Sequence, residues 1–286
     1  MLRCLAGLFG AVCLGGLCYA QVGEVRAPGT VIAGTSASIG TTGDGSGTFY
    51  LIGPSGSDKR DIKLGQEITV EPKQLQSGGR YLAIVCSDSC QSAEFFVTAA
   101  KPVSLSFLVH PSRAPVGRDN IISGAALPLD EFRNLVLTPV AINFELSIDG
   151  KTVMTRPATT QAGAAWFRTS SGRTAGALQV AASINGVSTR RVVQQVASDP
   201  CNLRIKGQRT PKGIVVETEP VRDCAGNPVP DGTIITFTAK AGDATDTVDA
   251  PLKKGIAKAQ LTAKGPVVIS AASGVVMGNE LRLGGQ

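Results

Sequence analysis

The sequence predicts an all-β chain built from tandem β-sandwich domains, and three observations carry that expectation. Charged residues make up only 17% and aromatics 5%, while Gly reaches 34 residues. Such a composition suits many short strands joined by Gly- and Pro-rich turns better than long helices. Runs that alternate apolar and polar residues recur, IVVETE at 214–219 and KKGIAKAQLTA at 253–263 among them. The most distinctive stretch, DCAGNPVPDGTIITF at 223–237, feeds a turn-rich reversal directly into a β-branched and aromatic run, and a fainter copy lies about 93 residues earlier. At 286 residues with 43% apolar content, the chain has room for two or three packed domains and does not read as disordered.

The first 20 residues, MLRCLAGLFGAVCLGGLCYA, place one Arg before an apolar run from Leu5 to Leu17 and end on the small residue Ala20. That is the order of a secretory signal peptide, with cleavage expected after Ala20. The run is short for a spanning helix, which needs about 20 apolar residues, and no transmembrane segment is expected in the mature chain. Lipidation at Cys13 or Cys18 is the competing reading. Acylated cysteines usually follow a small residue, whereas Val12 and Leu17 precede these two. The expected location is secreted, periplasmic or otherwise at the cell envelope.

Cysteine use agrees with export. Cys4, Cys13 and Cys18 fall in the signal, leaving Cys86, Cys90, Cys201 and Cys224. An even number in an exported chain points to disulfides. Of the three possible pairings, Cys86–Cys90 with Cys201–Cys224 is preferred because each pair then lies within one domain. A four-cysteine zinc site is the alternative, but the spacings match zinc ribbons poorly. The formal charge of +6 falls to +5 once Arg3 is removed. The basic residues are scattered, with Lys59-Arg60, Arg190-Arg191 and Lys253-Lys254 the densest pairs, so nucleic acid is not an expected partner.

The first domain is expected at 21–100. Its Gly/Ser/Thr-rich segment 35–48 reads as loop or weak edge strand. TFYLIGP at 48–54 is a strand, and QEITVEP at 66–72 alternates with Ile68 and Val70 on one face. In QLQSGGRYLAIVC, 74–86, the residues Leu75, Gly79, Tyr81 and Ala83 are spaced as in the E–F corner of immunoglobulin-like domains. There a Tyr returns its hydroxyl to upstream backbone, so Tyr81 is read as a tyrosine corner. Strands at 80–85 and 93–98 flank the loop CSDSC, whose neck Cys86–Cys90 would close.

The second domain is expected at 101–198. A strand at 103–109 ends at His110-Pro111, and His110 is the only histidine. It reads as a boundary residue: a Ser-His-Asp triad needs partners around it, and no G-x-S-x-G elbow occurs. A strand at 141–148 runs into an Asp149-Gly150 hairpin turn, and strands at 175–184 and 187–196 close about Asn185-Gly186. Trp166, the only tryptophan, sits in a short strand at 163–167 and is expected to pack.

The third domain is expected at 199–286, with about seven strands and turns every 8 to 12 residues. Ile235 and Phe237 share one face of their strand, and Ala257, Ala259 and Leu261 share one face of theirs. GNPVPDGTIITFTA, followed by KKGIAKAQLTA and VVISAASG, resembles the bacterial immunoglobulin-like (Big-1) domain of the invasin/intimin group. The resemblance runs from Cys201 to about Glu280. It implies a spacer-like sandwich repeat in a secreted or surface-displayed protein, with no catalytic residues to carry over. Asp223, Asn227, Pro228, Asp231, Gly232 and Phe237 hold its motif. Pro228 and Pro230 fix φ and remove donors, keeping the segment out of a central ladder, and Asp231-Gly232 makes the reversal. The second domain is a degenerate copy: Asn134, Val136, Ile142 and Phe144 align with Asn227, Val229, Ile235 and Phe237, and the Asp-Gly pair is lost.

Together these readings predict an exported, non-enzymatic immunoglobulin-like repeat protein acting as a structural or adhesion-type interaction module at the bacterial cell envelope. Its expected partner is a protein or glycan at the cell surface, and no cofactor is implied. The alternative is a carbohydrate-binding or enzyme-accessory module, with Trp166, Tyr50 and Tyr81 as stacking residues. A third reading takes Asp243, Asp246 and Asp249, spaced by three in one loop, as calcium ligands. Solvated turn carboxylates are the plainer account of them.

Overall fold

The structure, a computed structural model, describes residues 23–284. The expected signal peptide, its cleavage point at Ala20 and Cys4, Cys13 and Cys18 lie outside the described residues. The chain forms two compact units, residues 23–102 with Leu129–Val136, and Val103–Pro128 with residues 137–284.

In the first unit, β1 (Val25–Arg26), β2 (Thr30–Ile32), β3 (Ala37–Thr41), β4 (Ser46–Gly53), β5 (Gly56–Lys63), β6 (Ile68–Val70), β7 (Gly79–Cys86) and β8 (Cys90–Thr98) make one sandwich. Its sheets have the orders β1-β3-β6 and β2-β8-β7-β4-β5. Alternation sends Tyr81, Ala83 and Val85 of β7 inward to meet Phe49 and Leu51 of β4 and Phe95 and Val97 of β8. The Tyr81 and Phe95 rings stack at 5.4 Å. Part of the segment expected as loop or weak edge strand is β3, the middle strand of the smaller sheet, with Ala37 and Ile39 buried. Its small and polar residues hid a period of two that only Ala37, Ile39 and Thr41 express.

The second unit holds two cores. The first of them is built by β9 (Ser104–His110), β10 (Arg113–Pro115), β11 (Ile122–Leu129), β12 (Ala141–Ile148), β13 (Lys151–Thr159), β14 (Ala165–Thr169), β15 (Gly176–Ile184) and β16 (Val187–Val196). The sheets run β10-β16-β15-β12-β13 and β14-β11-β9. Phe144 lies between Phe107 and Phe167, with ring centroids 5.9 Å and 4.8 Å away. Burying each ring contributes about 1.5–3 kcal/mol. Asp149-Gly150 and Asn185-Gly186 have positive φ at both residues, 49° and 75°, 48° and 82°, as the twist of a two-residue hairpin demands.

The packing expected of Trp166 is overturned. The register of β14 turns Ala165 and Phe167 into the core, so the residue between them faces solvent, and Trp166 is 67% exposed. In a strand, parity outranks hydrophobicity.

The last core is enclosed by β17 (Pro200–Cys201), β18 (Ile205–Thr210), β19 (Gly213–Thr218), β20 (Arg222–Asp223), β21 (Ile234–Ala241), β22 (Ala244–Pro251), β23 (Lys258–Leu261), β24 (Val267–Ser273), β25 (Val276–Met277) and β26 (Leu281–Leu283). One sheet runs β18-β19-β23 and the other β22-β21-β24-β25, with β26 also on β24; β17 pairs with β20. Ile235 and Phe237 are fully buried, and Ile234 faces out. Asp246 and Asp249 lie on β22, so the three carboxylates do not share a loop. An odd spacing of three along a strand sends the two to opposite faces.

Candidate functional site

The most distinctive stretch of the sequence, 223–237, opens with a hydrogen-bonded clamp. Asp223 ends β20, and its Oδ1 accepts the backbone N–H of Ala225 at 2.9 Å and of Asn227 at 2.8 Å. This is the local capture of backbone that makes Asp favourable at a turn. Its Oδ2 accepts the N–H of Ser198 at 3.1 Å. The Asn227 amide returns to both Asp223 oxygens, at 3.2 and 3.0 Å. It also reaches the neighbouring sandwich, where Nδ2 donates to the Arg173 carbonyl at 2.8 Å and Oδ1 accepts from the Ala175 N–H at 2.9 Å. Both side chains are buried. Two residues thereby tie together their own turn, the connecting segment at Ser198 and the loop before β15.

The same clamp occurs in the first unit. Asp130 Oδ1 accepts the N–H of Phe132 at 2.9 Å and of Asn134 at 2.8 Å, and Oδ2 accepts from Ala100 at 3.0 Å and from the Asn134 amide at 2.9 Å. Asn134 Nδ2 donates to the Gln76 carbonyl, and its Oδ1 accepts the Gly78 N–H, both at 2.7 Å. Asp130 is the residue that the sequence reading missed. It stands at the same offset from Asp223 as Asn134 does from Asn227, so the spacing D-x-x-x-N was the available signal.

Burial pushes both carboxyls up. Hydrogen bonds from the paired Asn side chain and from backbone N–H groups more than offset this, and both pKa values fall below the ordinary aspartate range. Acceptors saturated in this way hold structure and are poorly disposed to take a proton from a substrate. Asp231 is held low by the backbone N–H groups of Lys254, at 2.9 Å, and Gly255, at 3.1 Å. It ties the Asp231-Gly232 reversal to the turn before β23. Gly232 takes φ of 89°, which favours glycine. Pro228 sits beside Arg222 in an isolated bridge.

Tyr81 is buried, and its hydroxyl lies 3.0 Å from the Ser77 carbonyl and 3.3 Å from that of Gln74. Gly53 leaves room for the ring: a Cβ there would come within 2.2 Å of it. Buried in this way, Tyr81 is not a stacking platform. Tyr50 is half-buried, with the Lys59 ammonium 5.7 Å from its ring centre. The disulfides are Cys86–Cys90, across the neck of the β7–β8 hairpin, and Cys201–Cys224, from β17 to the clamp turn.

Asp246 accepts the N–H and hydroxyl of Thr262, and Asp249 the hydroxyl of Thr236. Among the described residues, no group of three or more His, Cys, Asp and Glu side chains is placed to hold a metal ion. No helix among them is long and apolar enough to cross a membrane.

Solved structures carry the same architecture. The Escherichia coli adhesin FdeC aligns with a TM-score of 0.60 at 15% identity, over 93% of this chain and 99% of its own. The chain has the fold of invasin-type immunoglobulin-like proteins. Invasin, a bacterial integrin-binding protein, aligns with a TM-score of 0.52 at 11% identity, over 90% of this chain, which spans 57% of the invasin chain. No family model matches the sequence, and no curated protein matches it either.

Proposed function

We propose that the protein is an exported, non-enzymatic immunoglobulin-like repeat protein that serves as an adhesion-type interaction module at the bacterial cell envelope. The observation that carries this reading is the shared fold with the adhesin FdeC along nearly the whole of both chains. Two further features support it. The described cysteines are paired in disulfides, which persist in oxidising compartments. The buried carboxylates Asp130 and Asp223 are engaged by backbone and Asn donors and serve the joints of the fold. Residues 1–20 supply the export signal in this account, leaving Gln21 as the mature N-terminus.

The test is to express the chain in a bacterial host, fractionate the cells and sequence the N-terminus of the protein recovered. The expected product starts at Gln21, lies outside the cytoplasm and confers binding to a target cell or surface when displayed. A cytoplasmic product that retains residues 1–20 sinks the export half, and displayed protein that confers no binding sinks the adhesion half.

A further inference from the structure

The exposed indole is the feature that the fold does not use. Among the described residues the Trp166 indole has no ring partner and no hydrogen bond, whereas most of the other large aromatics described are core residues. It stands on the outer face of the β14-β11-β9 sheet, directly opposite Ala125, whose small side chain leaves the indole uncovered. Next to Ala125 is Gly124, where a Cβ would come within 2.3 Å of the Phe167 ring beneath, so this stretch of the sheet stays thin. Leu108, 64% exposed, forms the opposite wall. Trp166, Leu108, Ala125 and His110 border a trough of about 340 Å³, in the range of small-ligand sites.

The rim is basic. Arg168 follows Trp166 on the same face of β14, roughly 7 Å along the strand. Its side chain has no hydrogen-bond or ion-pair partner among the described residues. Arg156 is moored beside it, donating to the Arg168 carbonyl at 3.3 Å. No Asp, Glu, Lys or Arg lines the trough itself. The surrounding sandwich, Val103–Pro128 with residues 137–198, carries eight Lys and Arg against three Asp and Glu. The first unit carries eight against ten and residues 199–286 eleven against nine, so the positive excess is greatest in this sandwich.

Two other occupants fit less well. An extended peptide adding to a sheet edge would need a free, uncharged strand. Of this sheet's two edges, β14 is only five residues long and carries Arg168 within it. A folded protein partner would need about 800 Å² on each side, whereas the exposed apolar side chains here are two.

We propose that this face binds a uronic-acid glycan, one pyranose ring stacking on Trp166 while its ring carboxylate pairs with Arg168. A hexuronate presents apolar ring C–H groups on one face and a carboxylate joined directly to the ring. An aromatic surface with an arginine one strand step away matches both at once. The inference deepens the adhesion-type reading and rests on it, by naming what the module would adhere to.

Trp166 is the only tryptophan, so its emission reports on this site alone. The oxidised mature chain is titrated with an oligogalacturonate and with its methyl ester, which keeps the ring and removes the charge. The acid should shift the emission saturably, and the ester should bind at least about tenfold more weakly. By calorimetry, Trp166→Ala should abolish binding with an unchanged melting curve, since the indole touches solvent, and Arg168→Ala should reduce binding as the ester does. No saturable shift with the acid, equal binding of acid and ester, or undiminished binding by Trp166→Ala each overturns the proposal. An emission shift produced only by a purified target-surface protein also overturns it and assigns the face to a protein. Displayed protein that adheres equally well as Trp166→Ala leaves the adhesion reading standing and this one refuted. Glycan binding without adhesion does the reverse.

Discussion

The clamps at Asp130–Asn134 and Asp223–Asn227 share all but one of their hydrogen bonds, the second Asn227 amide bond to Asp223, and have the same spacing, yet each is fastened differently. In DCAGN the residue after Asp is Cys224, bonded to Cys201. In DEFRN it is Glu131, and the fastening falls to Phe132, which packs against the core of the first unit. A Cβ at Gly34 would come within 2.5 Å of the Phe132 ring, so that glycine makes its seat. The fourth residue of each turn has positive φ, 90° at Gly226 and 68° at Arg133. Only the first suits its residue type. The comparison teaches that the Asp and Asn define the joint. A covalent bond and a glycine secure one copy, and an apolar plug that tolerates strain secures the other.

Removing either aspartate should have the largest effect. Asp223→Ala leaves the N–H groups of Ser198, Ala225 and Asn227 without their acceptor, and Asp130→Ala does the same to Ala100, Phe132 and Asn134. Several charge-assisted bonds are lost at once, for an expected cost of about 3 kcal/mol or more at each clamp. Amide hydrogen exchange at these six sites reads it locally. A large effect at one clamp and none at the other would break the equivalence.

The fastenings should then separate the two. The double variant Cys201→Ala/Cys224→Ala opens a loop of sequence separation 23 and should cost about 3 kcal/mol on loop-closure entropy. Exchange at Ala175 and Ser198 should quicken while Gly78 and Ala100 keep their protection. Phe132→Ala should do the opposite, at a cost of about 2 kcal/mol for a ring that is only partly buried. Faster exchange at both clamps from either variant would mean that the fastenings are not local.

Acid should act on both. Each aspartate has a folded pKa below its unfolded value of about 4, so its contribution is complete above that value and is lost as pH falls through the folded pKa. Melting temperature should therefore drop on going below about pH 4 in the wild type. The drop should be shallower in Asp130→Ala and Asp223→Ala, which have one such carboxylate fewer. An equally steep drop would place the acid sensitivity elsewhere.

Turn chemistry was legible in the sequence wherever two residues decide a turn, as at Asp149-Gly150 and Asn185-Gly186. Strands with a strong period were legible too, as over Ala141–Ile148. Edge strands were not: β5 reads GSDKRDIK, and its charges discourage edge pairing while erasing the apolar signal. Trp166 was misread because its neighbours Ala165 and Phe167 fix the parity, and no property of Trp166 itself reveals that. Asp130 was hidden because its turn shares with DCAGN only the first and last letters. Hydrogen-bond geometry needs those two side chains and leaves the three between them free to diverge.

The smallest expected effect is the most discriminating, because it concerns backbone strain and no contact. Arg133 holds a conformation that costs an L-residue about 1–2 kcal/mol relative to glycine. Arg133→Gly relieves that cost but gives the unfolded chain more freedom, which takes back about 0.4–1 kcal/mol. The net expectation is a stabilisation of roughly 0.5 kcal/mol, seen as a small rise in denaturation midpoint with an unchanged slope. Gly226→Arg should destabilise the other clamp by a similar amount, since it introduces the strain that Arg133 already bears. If Arg133→Gly destabilised instead, the guanidinium or its aliphatic stem would be contributing to the joint. The first clamp would then rest on a third side chain for which the second has no counterpart.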